Sequence, residues 1–293
     1  MKGEVNMNKI FKILLIGFLI LTGCNKTNND LVNLEDVNAE EKVIINENDI
    51  IVKFIGIELN NNSANIKFEL TNNTNHDEVN FVMHDILVNN LQPVYGSNVI
   101  NVDSKETIEA SYDLYLDYFY FINHSRINDI QFDMEVSYNK HLTDIIVDPV
   151  ILVDKTPVTI ETNAEPSITE IKGPLIYEDK NIVIYGLGIE TLDYIDDAIE
   201  IRFLVKNKTD KYLSFSFRDI YTNNERVNVD KTNEYFLIKD SMSIVEYFYS
   251  ENDLKQKNIN SIDEIDFYFR LTDANTYKTI IESIHCNYIL DEK

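Results

Sequence analysis

An all-β chain built as two sandwiches in tandem is predicted by three observations. Apolar and polar residues alternate with period two through most of residues 43–290. Turns rich in Asn, Asp and Thr separate these runs. The same succession of runs and turns occurs twice, with little drift in spacing.

The elements follow in order. From Met7 a short basic stretch (Lys9 and Lys12) leads into an apolar run, Ile13 to Leu21, and then Thr22, Gly23 and Cys24. This is the layout of a secretory signal. The apolar run is far shorter than the roughly 20 residues a membrane-spanning helix needs, so a permanent span is not expected. Residues 1–23 are read as the signal and 24–42, rich in Asn, Asp and Glu, as a flexible tether.

The first repeat occupies 43–154 and the second 172–293. Phe54-Ile55-Gly56-Ile57-Glu58 matches Gly186-Leu187-Gly188-Ile189-Glu190 at an offset of 132. Ile66-Lys67-Phe68 matches Ile201-Arg202-Phe203 at 135, and Asn72-Asn73-Thr74-Asn75 matches Asn207-Lys208-Thr209-Asp210 at the same offset. Asp85-Ile86 and Asn89-Asn90 match Asp219-Ile220 and Asn223-Asn224 at 134, and Ile127–Phe132 matches Ile262–Phe267 at 135. The drift places three extra residues in the second copy around Thr191 to Asp197, between two strands, where loops accept insertions.

Within a copy, Ile66, Phe68 and Leu70 face one way and Asn65, Lys67 and Glu69 the other; Ile199, Ile201, Phe203 and Val205 repeat this. Each sheet is therefore expected to have one dry and one wet face. About seven short strands in roughly 110 residues suit an immunoglobulin-like sandwich. A helical turn is expected at 253–257, with 118–122 in the equivalent place. Residues 155–171, which hold Pro157 and Pro166, are read as a semi-extended linker.

Two resemblances follow from these residues. Leu21-Thr22-Gly23-Cys24 resembles the lipobox of bacterial lipoproteins, which implies cleavage before Cys24 and its modification by diacylglycerol and a further acyl chain such as palmitate. Two or three chains anchor stably where one is reversible. The repeated Asn-x-Thr turn, the Asp-Ile strand end before Asn-Asn and the Ile-x-x-Ile-x-Phe strand resemble the Ig-like domains of unknown function in Gram-positive secreted lipoproteins. The resemblance implies fold and an extracytoplasmic location at the cell membrane, and it carries no catalytic residues.

Composition narrows function by exclusion. Fifty Asp and Glu against 26 Lys and Arg give a formal charge of −24 over 293 residues. That argues against nucleic acid as a partner and against lying on an anionic membrane surface. With Cys24 lipidated, Cys286 has no partner for an internal disulfide and is read as a buried small hydrophobe in Ile284-His285-Cys286-Asn287-Tyr288. The five histidines show no metal-ligand spacing, no nucleophile elbow is present, and no cofactor is expected. Asp193, Asp196 and Asp197 crowd one loop without calcium-loop spacing, which suits a solvated loop more than a site.

The densest aromatic run is Tyr112, Tyr115, Tyr118, Phe119, Tyr120 and Phe121. Two roles are open to it: filling the first core, or presenting Tyr112, Tyr115, Tyr118, Phe119 and Tyr120 to a protein or cell-surface partner. The expected function is that of a lipid-anchored, non-enzymatic interaction module. The alternatives are a structural spacer of the envelope without a specific ligand, and an enzyme with a carboxylate site that spacing does not reveal.

Overall fold

The computed structural model describes residues 34–60, 62–139, 141–142, 145–146, 149–166, 169–192, 198–227 and 234–290. The expected signal, Cys24 and the stretch holding Asp193, Asp196 and Asp197 lie outside them.

The chain is all-β. In the first half the strands are β1 (Lys42–Glu47), β2 (Ile50–Asn60), β3 (Ser63–Asn72), β4 (Glu78–Val88), β5 (Val94–Tyr95), β6 (Val99–Asp103), β7 (Glu106–Tyr115), β8 (Asp129–Tyr138), the short pair β9 (His141–Leu142) and β10 (Ile145–Ile146), and β11 (Val150–Glu161). The second half has β12 (Leu175–Glu178), β13 (Ile182–Leu192), β14 (Ala198–Asn207), β15 (Leu213–Thr222), β16 (Glu225–Arg226), β17 (Glu234–Leu237), β18 (Met242–Ser250), β19 (Glu264–Asp273) and β20 (Thr279–Ile289).

The two halves share a topology. Sheets run β1-β2-β3-β7-β5 against β11-β8-β4-β6, and β12-β13-β14-β18 against β16-β15-β19-β20, with β17 also pairing β15. All strand pairs within the sheets are antiparallel, and sequence-distant strands are neighbours in the Greek-key manner of immunoglobulin-like sandwiches. The expected helical turn is α1 (Glu251–Gln256), capped by Ser250 Oγ, which accepts from Asn252 N at 3.2 Å. A 3₁₀ helix, Asp117–Ile122, takes the matching place.

Alternation builds both cores. Ile66, Phe68 and Leu70 from β3 meet Phe132 and Met134 from β8, with Phe68 edge-on to Phe54, Tyr112 and Phe132 at 5.7–6.0 Å between centroids. Phe203 holds the same position in the second core, 4.9 Å from Phe267 and 5.5 Å from Phe217. The repeated Asn residues are structural. Asn72, fully buried, accepts from Thr74 N at 3.0 Å through Oδ1 and donates to Val102 O at 3.1 Å; Asn207 does the same for Thr209 N at 2.9 Å and Ile238 O at 3.0 Å. Asn89-Asn90 and Asn223-Asn224 all have positive φ, which makes the tight turns that right-twisted hairpins favour.

Gly56 and Gly188 sit at matching register shifts between β2 and β3 and between β13 and β14, with φ of +153° and +115°. The pattern is a β-bulge that only glycine accommodates without strain.

Three expectations are corrected. The linker expected over 155–171 is strand as far as Glu161, because β11 pairs β8 along the sheet edge, where Pro157 lacks an amide but costs no central ladder bond. The tether expected to extend to residue 42 packs on the body from Leu34 onward: Val37 is buried in the first core, Glu35 N donates to Ser125 O at 2.8 Å, and Glu35 pairs with Arg126. The outer face of β14 was expected to be wet, yet Glu200 is 3% exposed and Leu204 is fully buried, because the first sandwich covers it.

That cover is a built junction. Gln92 N donates to Met242 O at 2.8 Å and Met242 N donates to Asn90 O at 2.9 Å, forming a parallel bridge between the β4–β5 turn and β18. Ser243 Oγ donates to Gln92 Oε1 at 2.7 Å, and Tyr212 OH donates to Asp85 Oδ2 at 2.6 Å. Leu204 and Met242 complete the first hydrophobic cluster from the second half.

Candidate functional site

The aromatic run is divided among three environments. Tyr112 is buried at a core position of β7, and its hydroxyl donates to Phe81 O at 2.9 Å. Phe119 is fully buried beneath the 3₁₀ helix. Neither can touch a partner, so of the two roles open to the run these two residues take the first, filling the core. The physical reason is period: strand alternation turns Tyr112 inward, and the helix turns Phe119 and Ile122 inward together. Tyr115, 44% exposed at the end of β7 and opposite Val94 of β5, alone stands out in solvent.

Tyr118 and Phe121 lie on the helix face turned to the second sandwich, and Tyr120 lies beneath the connector. Tyr118 OH donates to Glu246 Oε1, Phe121 lies with its ring centroid 5.7 Å from the Arg202 guanidinium, and Lys172 Nζ lies 3.7 Å from the Tyr120 ring centroid. Lys172 N also donates to Phe121 O at 2.8 Å, so the connector is strapped over the same helix. Tyr118 and Phe121 of the run thus contact the other half of the same chain.

A charged cluster lies at the junction, with Glu200 buried and Glu190 half-exposed at its rim. Arg202 reaches Glu190 Oε2 at 2.5 Å and Glu200 Oε2, with Glu246 at 3.9 Å. Burial drives the Glu200 carboxyl up to about 7, opposed by Arg202 and reinforced by the like charge of the facing Glu246, to which a protonated Glu200 donates. Tyr118 is pushed above the ordinary phenol range by burial and then by its bond to Glu246.

A second arrangement lies on the outer face of the second sandwich. Glu264, Asp266 and Tyr268 alternate along β19, His285 and Asn287 stand beside them on β20, and Tyr221 and Asn224 close the other side. Together they line an open concavity of about 660 Å³. His285 Nε2 lies 2.7 Å from Asp266 Oδ1, and Asn287 Nδ2 donates to the same oxygen at 3.1 Å and to Glu264 Oε1. The Tyr268 and His285 rings are 5.1 Å apart. Two tyrosines flanking carboxylates and amides suit hydrogen bonding and ring contact with a polar ligand. The alternation Glu264-x-Asp266-x-Tyr268 beside His285-x-Asn287 was readable in the sequence; only strand register brings Tyr221 to it.

Cys286 is buried, and its thiol is raised to about 12 by burial, so its proton stays on near neutral pH. Among the described residues no group of His, Cys, Asp or Glu side chains is arranged to hold a metal ion, and no helix is long and apolar enough to cross a membrane.

No family model and no curated protein matches this chain. Among solved structures, a red sea bream transglutaminase is similar over 88% of this chain and 32% of its own, at 8% identity and a TM-score of 0.22. The chain thus spans about a third of that structure's length.

Proposed function

We propose that this chain is an exported lipoprotein, held in the cell membrane by a diacylglycerol and acyl modification of Cys24, that acts without catalysis as a binding module on the extracytoplasmic side. The observation that carries the location is the basic, apolar, Leu21-Thr22-Gly23-Cys24 order at the amino terminus. The binding face is the Tyr221, Tyr268, Asp266 and Asn287 surface, which offers rings and hydrogen-bonding groups on a rigid sheet.

Two measurements test the two parts. In cells fed a labelled fatty acid, the parent chain takes up label and Cys24→Ser does not; a labelled Cys24→Ser chain refutes the anchor. For the face, the unanchored region from Asn25 onward cosediments with isolated envelopes, whereas the same region with Tyr221→Ser/Tyr268→Ser stays in the supernatant with an unchanged melting temperature. Equal sedimentation of the two refutes that face. A second reading, a spacer without a specific ligand, is favoured by the backbone pairing between the sandwiches, which suits a stiff body. It predicts equal sedimentation.

A further inference from the structure

Glu200 lies on the outer face of β14, directly opposite Glu190 of β13, in the sheet face that the first sandwich covers. The groups that face it are Glu190, Arg202 on its own strand, Glu246 from β18 and Tyr118 from the 3₁₀ helix of the first sandwich. One guanidinium serves three carboxylates. Its Nη1 is taken by Glu190 and its Nη2 by Glu200, while Nε is buried without a hydrogen-bond acceptor. Glu246 is then left to donors that are not Arg202: the hydroxyl of Tyr118 and the carboxyl of Glu200. A carboxylate cannot donate. The Glu200–Glu246 hydrogen bond exists only while a proton sits between the two.

We propose that the junction between the sandwiches is a proton-operated latch, in which a proton held between Glu200 and Glu246 keeps Glu246 in place to accept the Tyr118 hydroxyl of the first sandwich. With the proton present, two carboxylate charges face one guanidinium instead of three. When the proton leaves to water, three carboxylates face that guanidinium, the two across the strand pair repel, and Glu246 turns outward toward solvent. The Tyr118 bond is lost with it.

The direction follows from linkage. Glu200 holds its proton more tightly in the closed junction, up to about 7 against an ordinary 4.5. Its contribution to closure is complete below about 4.5 and is lost as pH rises through about 7. The latch is closed in mildly acidic surroundings and loosened in alkaline ones.

The test measures the distance between the sandwiches in the full-length chain. Spin labels at Glu106→Cys and Lys278→Cys, both exposed, are placed in a Cys24→Ser background, where Cys286 is too buried to label. A single distance population is expected at pH 5. A second, broader population should grow by about tenfold or more relative to the first by pH 8.5. Glu200→Gln, which donates to Glu246 at every pH, should keep the single population throughout. Tyr118→Phe should show the second population already at pH 5. The proposal falls if the parent distances are the same at both pH values, if Glu200→Gln responds as the parent does, or if Tyr118→Phe matches the parent. Should Glu200→Gln not fold, carboxyl ¹³C titration of the parent decides: a glutamate titrating near neutrality supports the latch, and its absence in the folded chain overturns it.

Discussion

Asn72 and Asn207 are each read in the sequence as part of a turn, and each proves to be a buried amide that ties a turn to a neighbouring strand. Truncation leaves backbone groups unpaired in the core, so Asn207→Ala should cost about 2–3 kcal/mol, read as a lowered thermal midpoint. Exposed Asn73→Ala should cost little by comparison. Cys286 offers a second check at this scale. Buried and with its proton held up to about 12, it should resist thiol reagents at pH 8 in the native chain and react as soon as denaturant unfolds it. Rapid native reaction would contradict its placement. Its burial was legible because Ile284, Cys286 and Tyr288 share one parity. The burial of Glu200 was not legible, because parity alone assigns it to the solvent face and only the first sandwich removes it from water.

At the scale of elements, the repeated β-bulge is the most exacting feature. Gly188 has φ +115°, a region that a side chain enters only with strain, while the space beside it is open. Gly188→Ala should therefore destabilise through the backbone alone, by about 1–3 kcal/mol, and a change of melting temperature within error would show that the strand relaxes. The bulge at Gly188 was legible as glycine inside an alternating run, and Gly56 stands at the matching place of the first repeat. The three extra residues of the second copy were visible as a change of offset; they fall between β13 and β14, where residues 193–197 lie outside the described set. The linker boundary was misplaced for a definable reason. Pro157 signals a break in most settings, but on an edge strand its missing amide faces away from the ladder, and β11 runs through it to Glu161. The aromatic run left two roles open, and its members divide between them: Tyr112 and Phe119 fill the core, while Tyr118 and Phe121 meet the other half of the chain.

Across the whole molecule, the two sandwiches are joined by a shared hydrophobic cluster and by backbone bonds. The duplication was readable as two domains, whereas their fusion depends on long-range packing that no local pattern encodes. Unfolding should accordingly appear in calorimetry as one transition near pH 5, and two resolved transitions there would show that the halves behave independently.

The parallel bridge at Met242 has a further consequence. In the first sandwich, the open edge at β7 is covered at one end by that domain's own β5. Among the described residues no strand of the second sandwich pairs with β18 on that side; its edge is met at Met242 by residues 90–92 of its neighbour, and Phe248 on the same strand is exposed. An unpaired strand edge is a template for pairing with other chains. The first sandwich thus covers one end of an edge that could otherwise pair with another chain. Residues 172–293 produced alone should form dimers or larger assemblies in light scattering, which addition of charge at Phe248 (Phe248→Lys) should suppress.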